Sequence, residues 1–181
     1  MTLPIALRLA VLAAPLLLGA CETLKSIDFN PEPELPPPCP RAVVGENAGR
    51  LTRFSGAGED PANIVFEAEI ADLAGSCVYD DDSIEVDLQI QLVAGRGPAA
   101  TDDNAKFNYF VAVARTDKTI LSRDAFDTLI ELPGNQTRNQ TVEELEQTIP
   151  LAEGESGANF VIVVGIEMTP EELEFNRKQG R

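Results

Sequence analysis

Between Ser83 and Leu92 the chain reads SIEVDLQIQL, and no other stretch restricts the fold as much. Ile84, Val86, Leu88, Ile90 and Leu92 fall on one side of an extended backbone, and Glu85, Asp87, Gln89 and Gln91 on the other. Five successive apolar positions at a period of two describe a strand with one dry and one wet face. Ile64, Phe66, Ala68 and Ile70 repeat the pattern, with Glu67 and Glu69 outward. Phe107, Tyr109, Val111 and Val113 do so again, and so do Phe126, Thr128, Ile130 and Leu132. The run from Phe160 to Met168 is almost wholly apolar and rich in Val and Ile, as expected of a central strand covered on both faces. Turn residues separate these runs at Asp80-Asp81-Asp82, Gly95-Arg96-Gly97-Pro98, Asp102-Asp103-Asn104 and residues 154–157. Short strands at this spacing, with no helix between them, predict a mainly β chain. The expected fold is an antiparallel immunoglobulin-like β-sandwich over residues 39–168 with a short C-terminal helix.

Residues 142–151 fit two patterns. Val142, Leu145 and Ile149 match a helix, while Leu145, Ile149 and Leu151 share one face of a strand. Thr148 and Ile149 favour sheet and Pro150 would break a helix, so a strand is expected. The helix is expected in residues 169–181. Thr169 stands at the cap, Pro170 in the first turn and Glu172 at the third position of a capping box, with Met168 and Leu173 placed as a hydrophobic staple. Glu171 and Glu172 lie at the positive end of the helix dipole, and Arg177 and Lys178 at the negative end. A helix of this length needs tertiary support, which Leu173 or Phe175 would supply by docking on the sandwich.

Charge excludes several functions. The 181 residues carry 14 Lys and Arg against 30 Asp and Glu, a net charge of −16, which argues against nucleic-acid binding because phosphates demand clustered cations. The chain has no His, which removes Ser-His-Asp and Cys-His mechanisms together with His metal ligation.

Residues 1–20, MTLPIALRLAVLAAPLLLGA, place one charge, Arg8, before an apolar run too short to cross a bilayer. The run fits the apolar core of an export signal, with an uncleaved anchor as the alternative. Leu18-Gly19-Ala20-Cys21 resembles the lipobox of bacterial lipoproteins, which implies acylation of Cys21 as the new N-terminus. In that group Glu22, which follows the Cys here, favours transfer to the outer membrane, facing the periplasm. Residues 21–38 then read as the lipidated Cys and a Pro-rich tether. Six prolines in residues 31–40 favour extended polyproline II, which makes the segment a semi-rigid spacer rather than a motif for Pro-binding modules.

Gly134-Asn135-Gln136, VEELEQTIPL over 142–151 and GIEMTPEELEFNR over 165–177 resemble a group of small bacterial envelope lipoproteins. The resemblance implies an envelope lipoprotein with an immunoglobulin-like or related sandwich, and it implies no activity.

The chemistry on offer is sparse. Cys39 and Cys77 remain after Cys21, and an exported pair reads as a disulfide, with two separate buried thiols as the alternative. Asp80, Asp81 and Asp82, with Asp102 and Asp103, are the candidate oxygen ligands for Ca²⁺ if their loops share one end of the sandwich. Solvated turns are the plainer reading, and no EF-hand spacing is present. Ser55 lacks the glycine two residues before it that a nucleophile elbow needs, Arg53 standing there. No cofactor is expected. The reading is therefore a non-enzymatic binding or scaffold module, held to the membrane by lipid, for an envelope protein with a basic surface. The alternatives are a small-ligand or calcium-binding sandwich and an enzyme using a carboxylate pair.

Overall fold

The computed structural model describes residues 36–56 and 58–180. The expected export signal, Cys21 and the expected Pro-rich tether up to residue 35 lie outside the described residues. Eight strands build the domain: β1 (Arg41–Val44), β2 (Arg50–Phe54), β3 (Ile64–Tyr79), β4 (Ser83–Arg96), β5 (Asn104–Arg115), β6 (Ile120–Glu131), β7 (Arg138–Pro150) and β8 (Phe160–Ile166), followed by helix α1 (Pro170–Gln179). They form two four-stranded sheets, in the orders β1-β8-β5-β6 and β2-β3-β4-β7. Every neighbouring pair is antiparallel except β1, which runs parallel to β8. The described residues form a β-sandwich with one short C-terminal α-helix.

The dry face of β4 makes one wall of the core: Ile84, Val86, Leu88, Ile90 and Leu92 are all buried. Phe107, Tyr109, Val111 and Val113 of β5 and Phe160, Ile162, Val164 and Ile166 of β8 make the other. Tyr109 stacks on Phe126 of β6 with ring centroids 5.3 Å apart. On β8 the outward Val161 and Val163 are half-buried, so this strand has one sealed face and one partly covered face.

Residues 142–151 resolve in favour of sheet, since β7 pairs with β4 along its whole length. β3 runs nine residues past Ile70, because Ala71 bulges out of the ladder between Ile70 and Asp72. One extra residue reverses which parity faces inward. Phe66, Ala68 and Ile70 point inward before the bulge, whereas Leu73, Cys77 and Tyr79 pack against the core after it.

The helix is built as its first residues dictate. Thr169 Oγ1 accepts from the Glu172 backbone N–H, and the Glu172 carboxylate accepts in return from the Thr169 N–H at 2.9 Å. Phe175 supplies the docking contact, meeting Phe54 edge to face at 5.3 Å. Asn176 adds another: it is fully buried and its Nδ2 donates to the carbonyls of Asn47 and Arg50 at 2.9 and 2.6 Å.

Candidate functional site

The chain enters the sandwich through a covalent clamp. Cys39 and Cys77 form a disulfide with Cα atoms 5.8 Å apart. Cys39 leads into β1 of one sheet and Cys77 lies on β3 of the other, so the bond ties the two sheets where the chain enters β1. Beside it the Tyr79 hydroxyl donates to the Pro38 carbonyl and accepts from the Gly157 N–H, both at 2.7 Å. A Cβ at position 157 would sit 2.4 Å from that carbonyl, so only glycine admits the close approach.

The five aspartates considered as calcium ligands do not come together. Asp80, Asp81 and Asp82 form the β3–β4 turn, and Asp102 and Asp103 lie in the β4–β5 connection. The 14 residues of β4 separate the two groups, a span on the order of 40 Å. Asp103 instead pairs with Arg96 at 2.7 Å. Among the described residues, no three acidic or cysteine side chains gather closely enough to hold a metal ion.

What does converge is charge on the outer face of the β2-β3-β4-β7 sheet. The register sets Asp87 opposite Glu146, Gln89 opposite Glu144 and Glu85 opposite Thr148. Gln89 Nε2 donates to Glu144 Oε1 at 3.3 Å. A hydrogen bond to Glu146, and then its charge, hold the Glu85 carboxyl above the usual glutamate value, with Asp80 and Asp87 adding to the effect. Asp72 and the Asp80–Asp82 turn extend the same acidic half. No Lys or Arg of these four strands enters it. Their four arginines, Arg50, Arg53, Arg96 and Arg138, all stand at the opposite end of the sheet. Each of the four is ion-paired there, Arg50 and Arg138 with Glu69, Arg53 with Glu172, Arg96 with Asp103.

No family model, curated protein or solved structure matches the chain. The residues themselves therefore carry the functional reading.

Like charges directly across a ladder destabilise a sheet. Asp87 and Glu146 occupy such a position with Glu85 beside them, an arrangement that folding alone does not favour. The pair Glu85–Glu146 lies on an open sheet face rather than between apolar walls, so its chemistry is that of an electrostatic surface. A concavity of about 600 Å³ opens between β2 and the start of α1 and is walled by Phe54, Pro170 and Phe175. Both of its cations are engaged, Arg53 with Glu172 at 2.6 Å and Lys178 with Glu59 at 3.0 Å.

The sequence shows the wet face of β4 directly. Glu144 and Glu146 join it only through the β4–β7 pairing, which links residues far apart in the chain. Once residues 142–151 are read as a strand, the alternation of VEELEQT is the signal that points these acids outward.

Proposed function

We propose that the chain is a non-enzymatic envelope lipoprotein. In this reading Cys21 carries the lipid, residues 21–38 hold the sandwich away from the outer membrane, and the acidic half-face binds a basic surface of another envelope component. The single observation that carries the binding reading is the segregation of charge on one sheet. Glu85, Asp87, Glu144 and Glu146 face outward together, while every arginine of that sheet is neutralised at the far end. Concentrated charge of one sign raises the encounter rate with an oppositely charged partner and repels anionic headgroups.

The test is capture of a partner by the full chain from detergent-solubilised envelopes, read against a variant neutralised as Glu85→Gln, Asp87→Asn, Glu144→Gln and Glu146→Gln. Capture at about 0.1 M salt should fall at least tenfold in the variant and fall for wild type at about 0.5 M, where the screening length shrinks below ~5 Å. A control with Asp124→Asn and Glu131→Gln on β6 should retain capture. Equal capture by wild type and the neutralised variant overturns the proposed face. Fatty-acid labelling that persists after Cys21→Ser would overturn the anchor.

One observation favours a second reading, small-ligand binding: the cleft between β2 and α1, with two phenylalanines in its wall. A ligand there would raise the melting temperature of wild type and leave that of Phe175→Ala unchanged.

A further inference from the structure

Strand β6 is the outer strand of its sheet, with β5 on one side and no strand on the other among the described residues. It is twelve residues long and contains no proline. Edges of this length invite pairing with another chain unless something blocks them. Towards its end Asn139 Nδ2 donates to the Glu131 carbonyl, and the Thr128 hydroxyl to Glu143. Ile120, Leu121 and Leu129 are 64%, 45% and 50% exposed, and together they make up half of the exposed large apolar side chains among the described residues.

β6 bulges at Leu121, where the register passes from Ser122 opposite Val113 to Ile120 opposite Ala114, so its regular ladder begins at Ser122 and its outward side chains read Arg123, Ala125, Asp127 and Leu129. The first three are self-complementary: basic, small, acidic. We infer that a second copy of this chain pairs antiparallel with β6 about a two-fold axis through Ala125, joining two four-stranded sheets into one of eight strands.

The register follows from elementary geometry. An axis perpendicular to the sheet keeps each side chain on its own face, so residues pair only at even separations. Centring on Arg123, Asp124 or Asp127 sets a charge against its own copy. Centring on Phe126 sets Arg123 against a leucine. Ala125 alone places Arg123 beside Asp127 of the second copy, a contact that occurs twice. On the inner face it sets Ser122 beside Thr128 of the second copy, and Asp124 meets Phe126 of the second copy and no acid; the ladder ends there, since beyond the bulge Ile120 lies on the other face opposite Ala114. Arg123 is already fixed on the outer face, its guanidinium 4.4 Å from the ring centre of Phe110 and 2.9 Å from Glu167. Isologous two-fold contacts of this kind close after two chains. The seam lies on the sheet that does not carry the acidic half-face, so it stands or falls separately from the proposed function.

Directly opposed residues in such a ladder have Cα atoms about 4.5–5.5 Å apart, within the range that a disulfide spans. The experiment uses the full chain in its own membranes, oxidised with copper phenanthroline and separated without reductant, with wild type as background. Ala125→Cys should give a covalent dimer. Arg123→Cys and Asp127→Cys should give none alone and a dimer when the two chains are co-expressed. Adding Asp127→Lys to Ala125→Cys should lower the dimer yield at least tenfold, because it sets two cations opposite each other. Light scattering of detergent-solubilised wild type should give the mass of two chains, and Asp127→Lys that of one. Failure of Ala125→Cys to cross-link, equal cross-linking by Asp127→Cys alone, or a dimer trapped only by Val142→Cys on the β7 edge would each overturn the inference.

Discussion

Glu85 sits beside Glu146 on the outer face of the sheet, and its raised pKa turns their proximity into a pH dependence. A carboxyl that binds its proton more tightly folded than unfolded stabilises the fold below its ordinary value, near 4.5, and loses that contribution as pH rises through the folded value. Glu85→Gln removes the repulsion in the charged state, so its melting temperature should exceed that of wild type at pH 7, the two curves converging towards pH 4.5. Thermal melts of both proteins from pH 4 to 8 check this; parallel curves would contradict it. Glu155 has the opposite sign. Its hydrogen bond from Arg115, and then one from the Ala152 N–H, hold its carboxyl below the usual value. Its contribution is present at neutral pH and lost as pH falls through that lowered value, so Glu155→Gln should melt lower than wild type at pH 7. Tyr109 sets the alkaline limit, since burial first and the charge of Glu143 second push its hydroxyl up to about 12. Its contribution holds below the ordinary value near 10 and is lost as pH rises towards 12. Tyr109→Phe should flatten the stability profile over that interval.

At the level of the element, α1 shows what a sequence states and what it withholds. Thr169, Pro170 and Glu172 specify the start of the helix within four consecutive positions, because capping is local chemistry. Asn176 gives no such signal: a lone polar residue near a chain end reads as exposed, yet its amide closes the carbonyls of Asn47 and Arg50, 129 and 126 residues away. Asn176→Ala should destabilise by about 1–3 kcal/mol, the cost of leaving those buried carbonyls unpaired. Chemical denaturation would measure it, and a loss below ~0.5 kcal/mol would mean that water replaces the amide. β3 hides its second half for a different reason. The pattern of Phe66, Ala68 and Ile70 ends at the bulged Ala71, after which the inward residues change parity and include Gly75 and Cys77, too small to register as apolar repeats. β2 stays hidden because its inner side is marked by Leu51 without an apolar repeat at Arg53, while the buried Thr52 lies on the outer face opposite Glu67. The acidic half-face was half legible for the same cause: β4 declares it, and β7 contributes only through long-range pairing.

For the molecule as a whole, the weak point of a two-layer fold is the join between layers, and here the disulfide join lies where the chain enters β1, the point at which the proposed tether would pull. β1 has four residues and, among the described residues, pairs with β8 alone, along one edge. Tension on the segment before Cys39 would peel so short a strand from its neighbour. The disulfide carries that load across to β3, a sixteen-residue strand held on both sides by β2 and β4. The bond also closes a span of 38 residues, which in the chain-entropy model stabilises by about 4 kcal/mol. For a domain of this size that corresponds to roughly 10–15 °C in melting temperature. Cys39→Ala with Cys77→Ala should therefore melt lower by about that much, wild type in reductant should approach the same value, and amide exchange should accelerate in β1 before it does in β5 or β8. A double variant melting within ~2 °C of wild type, with β1 still protected, would mean that Tyr79, by gripping Pro38 and Gly157, secures the root without help from sulfur.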